Sequence, residues 1–296
     1  MLAKVMAENG IGRTGVHGAL DLTFRRGRGD ARTRLVVQEQ LPPLRVVRAF
    51  DGDDQMAVVH LHNLSGGVLG GDQMHLTARV EASAQAQITT TGSTRVYRHR
   101  AGYVTATQTN HLCVGAGGLL EYLPDSLIPY GDARFRQTTR IELAEDAGLF
   151  YWEVVAPGRT AQGEEFAYDL LQLELEIVAE GRLLAIERMR WQPHLHDLRS
   201  PARLGGYSYY GVLYACRVGV QEERWLALER ELHTQAQALT CPGEALWGVS
   251  SLPAYGLSVR VLSRNSRAIA SGLFVFWQAL KRSLYGQEAI PPRKVY

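Results

Sequence analysis

Leu171, Leu173, Leu175 and Ile177 alternate with Gln172, Glu174 and Glu176. A strict period of two gives an extended strand one apolar face and one wet face. Met74, Leu76, Ala78 and Val80 repeat the pattern, and residues 86–91 and 133–143 carry the Thr and Ile that half-buried strands favour. Between these runs stand glycine pairs: Gly66-Gly67, Gly70-Gly71 and Gly205-Gly206. They mark turns where positive φ or a close backbone approach is needed. Many short strands with no helix between them exclude an α/β chain and predict a mainly β fold. The expected form is an elongated, β-helix-like or solenoid-sandwich body.

The pattern changes near Gln221. Leu228, Leu232, Ala236 and Leu239 follow a helical stripe, as do Ile269, Leu273, Trp277, Leu280 and Leu284. Polar Arg264-Asn265-Ser266 precedes the second stripe and Gly286 follows it, as start and stop signals should. Two C-terminal α-helices are therefore predicted. The reading divides the chain into a loose lead-in with a first strand (1–34), a β body (35–220) and a helical part packed on it (221–296), all in one domain.

With 32 Lys plus Arg against 30 Asp plus Glu, the net charge is +2. That balance lacks the basic footprint of a nucleic-acid binder. Cys113, Cys216 and Cys241 are widely spaced and form no CxxC, so neither a disulfide framework nor a zinc knuckle is expected. The first residues, MLAKVMAENG, lack the apolar core of a signal peptide, and no run approaches a membrane span. A cytoplasmic protein is the expectation.

Chemistry-bearing groups are few. The run Gly66-Gly67-Val68-Leu69-Gly70-Gly71-Asp72 has no following Lys and continues as a strand, so it reads as tight turns that place Asp72 and not as a phosphate cradle. Ser208 misses the GxSxG spacing. Cys113 and His111 are two apart on a strand and share a face, although a buried structural thiol is the simpler reading. His60/His62 and His194/His196 could each aim two imidazoles one way, but two ligands do not close a metal site. Glu121, Glu153 and Glu187 sit in apolar surroundings, which is costly unless each is paired or wet. Either they form ion pairs, with Arg95 or Arg188 for example, or they line a water-filled interior whose oxygens hold a hydrated divalent cation loosely.

An ordered set of motifs resembles the UreD (UreH) family of urease accessory proteins. His62–Asp72 is similar to its "H-x-x-GG-hydrophobic-hydrophobic-GGD" segment, and residues 88–98 to its "LLTTxAATKxYR" strand. Leu119-Leu120-Glu121-Tyr122-Leu123-Pro124 resembles "LEWLP", Tyr151-Trp152-Glu153 resembles "GWE", and residues 158–166 resemble "GRxAxGExF". Ile186-Glu187-Arg188, Leu204-Gly205-Gly206, Phe276-Trp277 and Pro291-Pro292-Arg293 continue the set in order. The chain departs from the family where residues 124–127 read PDSL and where Arg95 replaces a Lys.

The resemblance implies a non-enzymatic scaffold that docks on apo-urease with UreF and, through UreF, the GTPase UreG, and it leaves room for a dimer within that complex. It implies transient nickel as cargo and no tightly bound cofactor, with the ion moving through an internal passage. The passage candidates are Asp72, Glu121, Glu153 and Glu187, with His60 and His62 as further metal contacts. Phe274, Phe276 and Trp277 are candidates for a partner interface. A pure assembly chaperone, or a β-fold carbohydrate or ester hydrolase built on Glu121 and Glu153, are the alternatives.

Overall fold

The computed structural model describes residues 12–27, 29, 32–52 and 55–291. The Pro292-Arg293 end of the family resemblance lies outside them. Strand outweighs helix by 48% to 15%, so the mainly β expectation holds.

The strands form two sheets. The outer sheet runs, in spatial order, Arg182–Trp191, Leu170–Ala179, Arg134–Leu143, Ala106–Val114, Gln73–Val80, His17–Arg26 and Thr33–Leu41. The central sheet runs Ala245–Ser251, Gly256–Ser263, Tyr209–Arg217, Gly148–Val155, Leu119–Tyr122, Gln85–Thr90, Ala57–Asn63 and Leu44–Arg45, with short strands at its margin. From Ala57 to Leu170 the chain passes alternately between the sheets, and each pass lies parallel to the previous one in its own sheet. Parallel neighbours need a long crossover. Here the crossover is a strand of the other sheet, which is why the sequence shows no helices in this region.

One core fills the space between the sheets. Leu22, Phe24, Leu76, Leu112, Phe135, Ile141 and Ile177 of the outer sheet meet Val59, Ile88, Leu120, Leu149 and Val212 of the central one. Every second residue of the outer sheet points away to solvent, giving the alternation seen in the sequence. The central sheet is covered on both faces. Its far side, including Phe150, Leu213, Val259 and Val261, packs on two helices, α1 (Glu222–Leu239) and α2 (Ser266–Tyr285).

Both helices stand where the stripes put them. The Asn265 side chain caps α2 by accepting a hydrogen bond from the Ala268 amide, and Gly286 ends it in the left-handed conformation. The 221–296 part is not helical throughout, however. An antiparallel hairpin, Ala245–Ser251 with Gly256–Ser263, separates α1 from α2 and extends the central sheet. Among the described residues no helix is long and apolar enough to cross a membrane.

Candidate functional site

Midway along the core the apolar filling gives way to polar side chains. Positions 108, 110, 137 and 139 have the parity of core residues Leu112 and Ile141, so Gln108, Asn110, Gln137 and Thr139 point inward. Gln108 Nε2 donates to Asn110 Oδ1 at 2.9 Å, and Asn110 Nδ2 donates to Thr139 Oγ1 at 3.0 Å. Opposite them the central sheet presents Tyr122, Tyr151, Glu153 and Tyr214. Tyr122 and Tyr151 stack at 5.8 Å, and Tyr151 lies 6.5 Å from Tyr214.

Glu153 Oε1 accepts from Gln137 Nε2 at 2.7 Å. The carboxylate also lines a cavity of about 280 Å³ shared with His62, Gln108, Tyr122 and Asp125. Enclosure by protein, reinforced by the Glu187 charge and opposed by the Gln137 hydrogen bond, pushes its pKa up to about 7. Glu187 sits at the other end of the row. It accepts from the Tyr210 hydroxyl at 2.8 Å, from the Tyr214 hydroxyl, and from Arg260 at 3.0 Å. Beyond it opens a basic cleft with Arg188, Arg190, Arg203 and Arg260. Burial, with Glu187 beside them, raises the Tyr210 and Tyr214 pKa values, and burial raises that of Tyr151. These phenols therefore stay protonated as donors at neutral pH.

Glu121 has a different environment. Its register neighbour Phe150 belongs to the helix-side core, so it lies on the opposite face of the central sheet from Glu153. It is fully buried, 2.8 Å from Lys281 Nζ of α2, and accepts from Gln87 at 2.7 Å and from the Trp277 indole at 3.4 Å. A hydrolase pair of Glu121 and Glu153 does not form, because a sheet separates them.

Asp72 is also buried, and its two oxygens accept from the amides of Val16 and Leu69. It clamps the glycine turn to the chain entering the first strand. Gly71 makes the clamp possible: its φ is +87°, and a Cβ there would come within 2.7 Å of the Gly15 nitrogen. Asp72 therefore stands apart from the Glu153–Glu187 row.

His62 borders the cavity, whereas His60 packs edge-on against Phe50. His194 lies 3.4 Å from Asp169. Phe276 and Trp277 are wholly buried, against Trp247 and Trp152 respectively. Of the three aromatic interface candidates only Phe274 is partly exposed, on a groove between α2 and the central sheet.

Sequence reasoning found both acids of the row but missed Gln108, Asn110, Gln137, Thr139, the tyrosines and Arg260. The signal was available in part: Gln-x-Asn and Gln-x-Thr occupy the apolar-parity positions of period-two strands. Carboxylates, amides and phenols in one enclosed row can solvate a hydrated hard or borderline cation without gripping it.

A family model described as UreD urease accessory protein matches residues 16–296. A protein of Herpetosiphon aurantiacus named urease accessory protein UreD is 48% identical over 280 residues, covering 95% of this chain and 96% of its own. Proteins of the same name from Cenarchaeum symbiosum and Pseudomonas fluorescens Pf-5 are 35% and 34% identical, covering 89% and 94% of this chain and 91% and 94% of their own. The chain belongs to the UreD family of urease accessory proteins.

Proposed function

We propose that this chain serves urease maturation as a scaffold which, with UreF and UreG, docks on apo-urease and passes nickel through its interior. The observation that supports the passage is the polar row between the sheets, from the Glu153 cavity to the Glu187 cleft. An apolar sandwich core gains nothing from such residues, since burying them is costly unless they are paired or wet. Two carboxylates at its ends give a divalent cation charge to approach and leave. Amide and phenol oxygens between them stand in for part of its water shell.

The test is reconstitution of the chain with UreF, UreG, GTP, nickel and apo-urease. Nickel content of the urease is read beside recovery of the complex. Glu153→Gln and Glu187→Gln, singly and together, should lower nickel content several-fold while the complex still assembles. Normal loading by the double variant would reduce the role to assembly alone, and failure to recover the wild-type complex would overturn the scaffold.

A further inference from the structure

The two strands that furnish the amide side of the interior row carry a second constellation on their other face. His111 and Cys113 are two apart on the Ala106–Val114 strand, so both point outward. Parallel register pairs Cys113 with Glu142 and His111 with Arg140 on the Arg134–Leu143 strand. Three donor types thus converge on one patch of sheet: His111 Nε2 is 3.5 Å from Cys113 Sγ and 3.6 Å from Glu142 Oε2, and Sγ is 4.0 Å from that oxygen.

A tetrahedral ion with bonds of about 2.0–2.3 Å separates neighbouring donors by roughly 3.3–3.8 Å. The three observed separations fall in or just above that range, so closing on an ion requires only small side-chain movement. The carboxylate is already oriented. Its other oxygen, Oε1, accepts from Arg140 Nε at 2.8 Å, and Arg140 in turn reaches Glu176 at 3.0 Å. That arrangement is the outer-shell support that turns a ligand toward its metal. Arg79, the other cation near the thiol, is engaged by Asp21 at 2.6 Å. His111 and Glu142 side chains are each 43% exposed, so water can supply a fourth ligand and the ion can exchange.

We propose that His111, Cys113 and Glu142 form a surface site for a borderline divalent transition metal (zinc, cobalt or nickel), separate from the interior row. Imidazole, thiolate and carboxylate together select such ions over magnesium or calcium, which prefer oxygen alone. The open fourth position makes it an exchangeable site and not a closed structural one.

Cobalt(II) is the probe, because a thiolate ligand gives it a charge-transfer absorption that oxygen and nitrogen ligands do not. Titrating the full chain alone with cobalt should develop that band to one equivalent, and zinc should displace it. Cys113→Ser should abolish the band, and His111→Ala should weaken binding by more than the roughly 10–100-fold of an outer-shell change. Arg140→Gln should fall within that range, and Glu288→Gln, at the exposed Arg282–Glu288 pair, should leave the titration unchanged. Circular dichroism of each variant should match that of the wild-type chain, so that lost binding is not lost folding. A band that survives Cys113→Ser, or no band in the wild-type chain, would overturn the proposal.

Discussion

The two faces of the central sheet bury a carboxylate each and treat it in opposite ways. On the helix side Glu121 is dry and closely paired with Lys281, with Gln87 and Trp277 completing its hydrogen bonds. On the sandwich side, among the described residues, Glu153 hydrogen-bonds to the Gln137 amide and is in none of the ion pairs. It lines a cavity, and its pKa is raised to about 7. The first arrangement fixes a helix to a sheet. The second leaves a carboxylate in a place where the fold does not need one, and that difference is why Glu153, and not Glu121, belongs to the proposed passage.

The largest expected effect comes from breaking the dry pair. Lys281→Ala strands the Glu121 charge and should cost about 3–5 kcal/mol in urea unfolding, whereas Glu121→Leu with Lys281→Met should be near neutral. A single-variant loss below about 1 kcal/mol would mean that Glu121 reaches water or sheds its charge, and the contrast between the faces would fail.

The wet acid should respond in the opposite sense. The folded state raises the Glu153 pKa from 4.5 to about 7, so the folded chain holds the proton more tightly than the unfolded one. Its stabilising contribution is complete below about 4.5 and is lost as pH rises through about 7. Glu153→Gln should therefore stabilise the protein at pH 8 relative to pH 5 by about 2 kcal/mol. That is less than the full shift would give, because the cavity wets the carboxylate. A wild-type chain whose stability tracks that of the variant across this range would show that Glu153 titrates like a surface acid.

The smallest effect belongs to an exposed control. Arg282 and Glu288 pair at 2.7 Å with both side chains more than half exposed. Arg282→Ala should cost at most about 1 kcal/mol and nothing at high salt. A loss that persists in salt would make surface pairs comparable to the dry one.

Much of this was legible in the sequence, and the limits have physical causes. Period-two runs such as 171–177 and the two helical stripes report burial directly, because each residue's environment repeats along its own element. The cost of an acid in apolar surroundings is likewise local, so Glu121, Glu153 and Glu187 stood out. Their partners did not. Lys281 is 160 positions from Glu121 and Arg260 is 73 from Glu187, whereas the nearer Arg95 and Arg188 looked equally suitable. The hairpin between the helices was missed because a margin strand such as Ala245–Ser251 buries only Ala245 and Val249, too thin a pattern to read. The His111–Cys113–Glu142 cluster needed register, which joins residues 29 positions apart.

Covering the central sheet on both sides has a consequence for how this chain can change over generations. Inserting or deleting one residue within Gly148–Val155 would exchange Glu153 with its apolar neighbours, sending a charge into the helix layer and an aliphatic group into the cavity. Length changes inside such strands should survive only in pairs, while the turns between passes can absorb any number. Drift in family length should therefore accumulate at the sandwich ends, leaving the spacing from Tyr151 to Glu153 untouched.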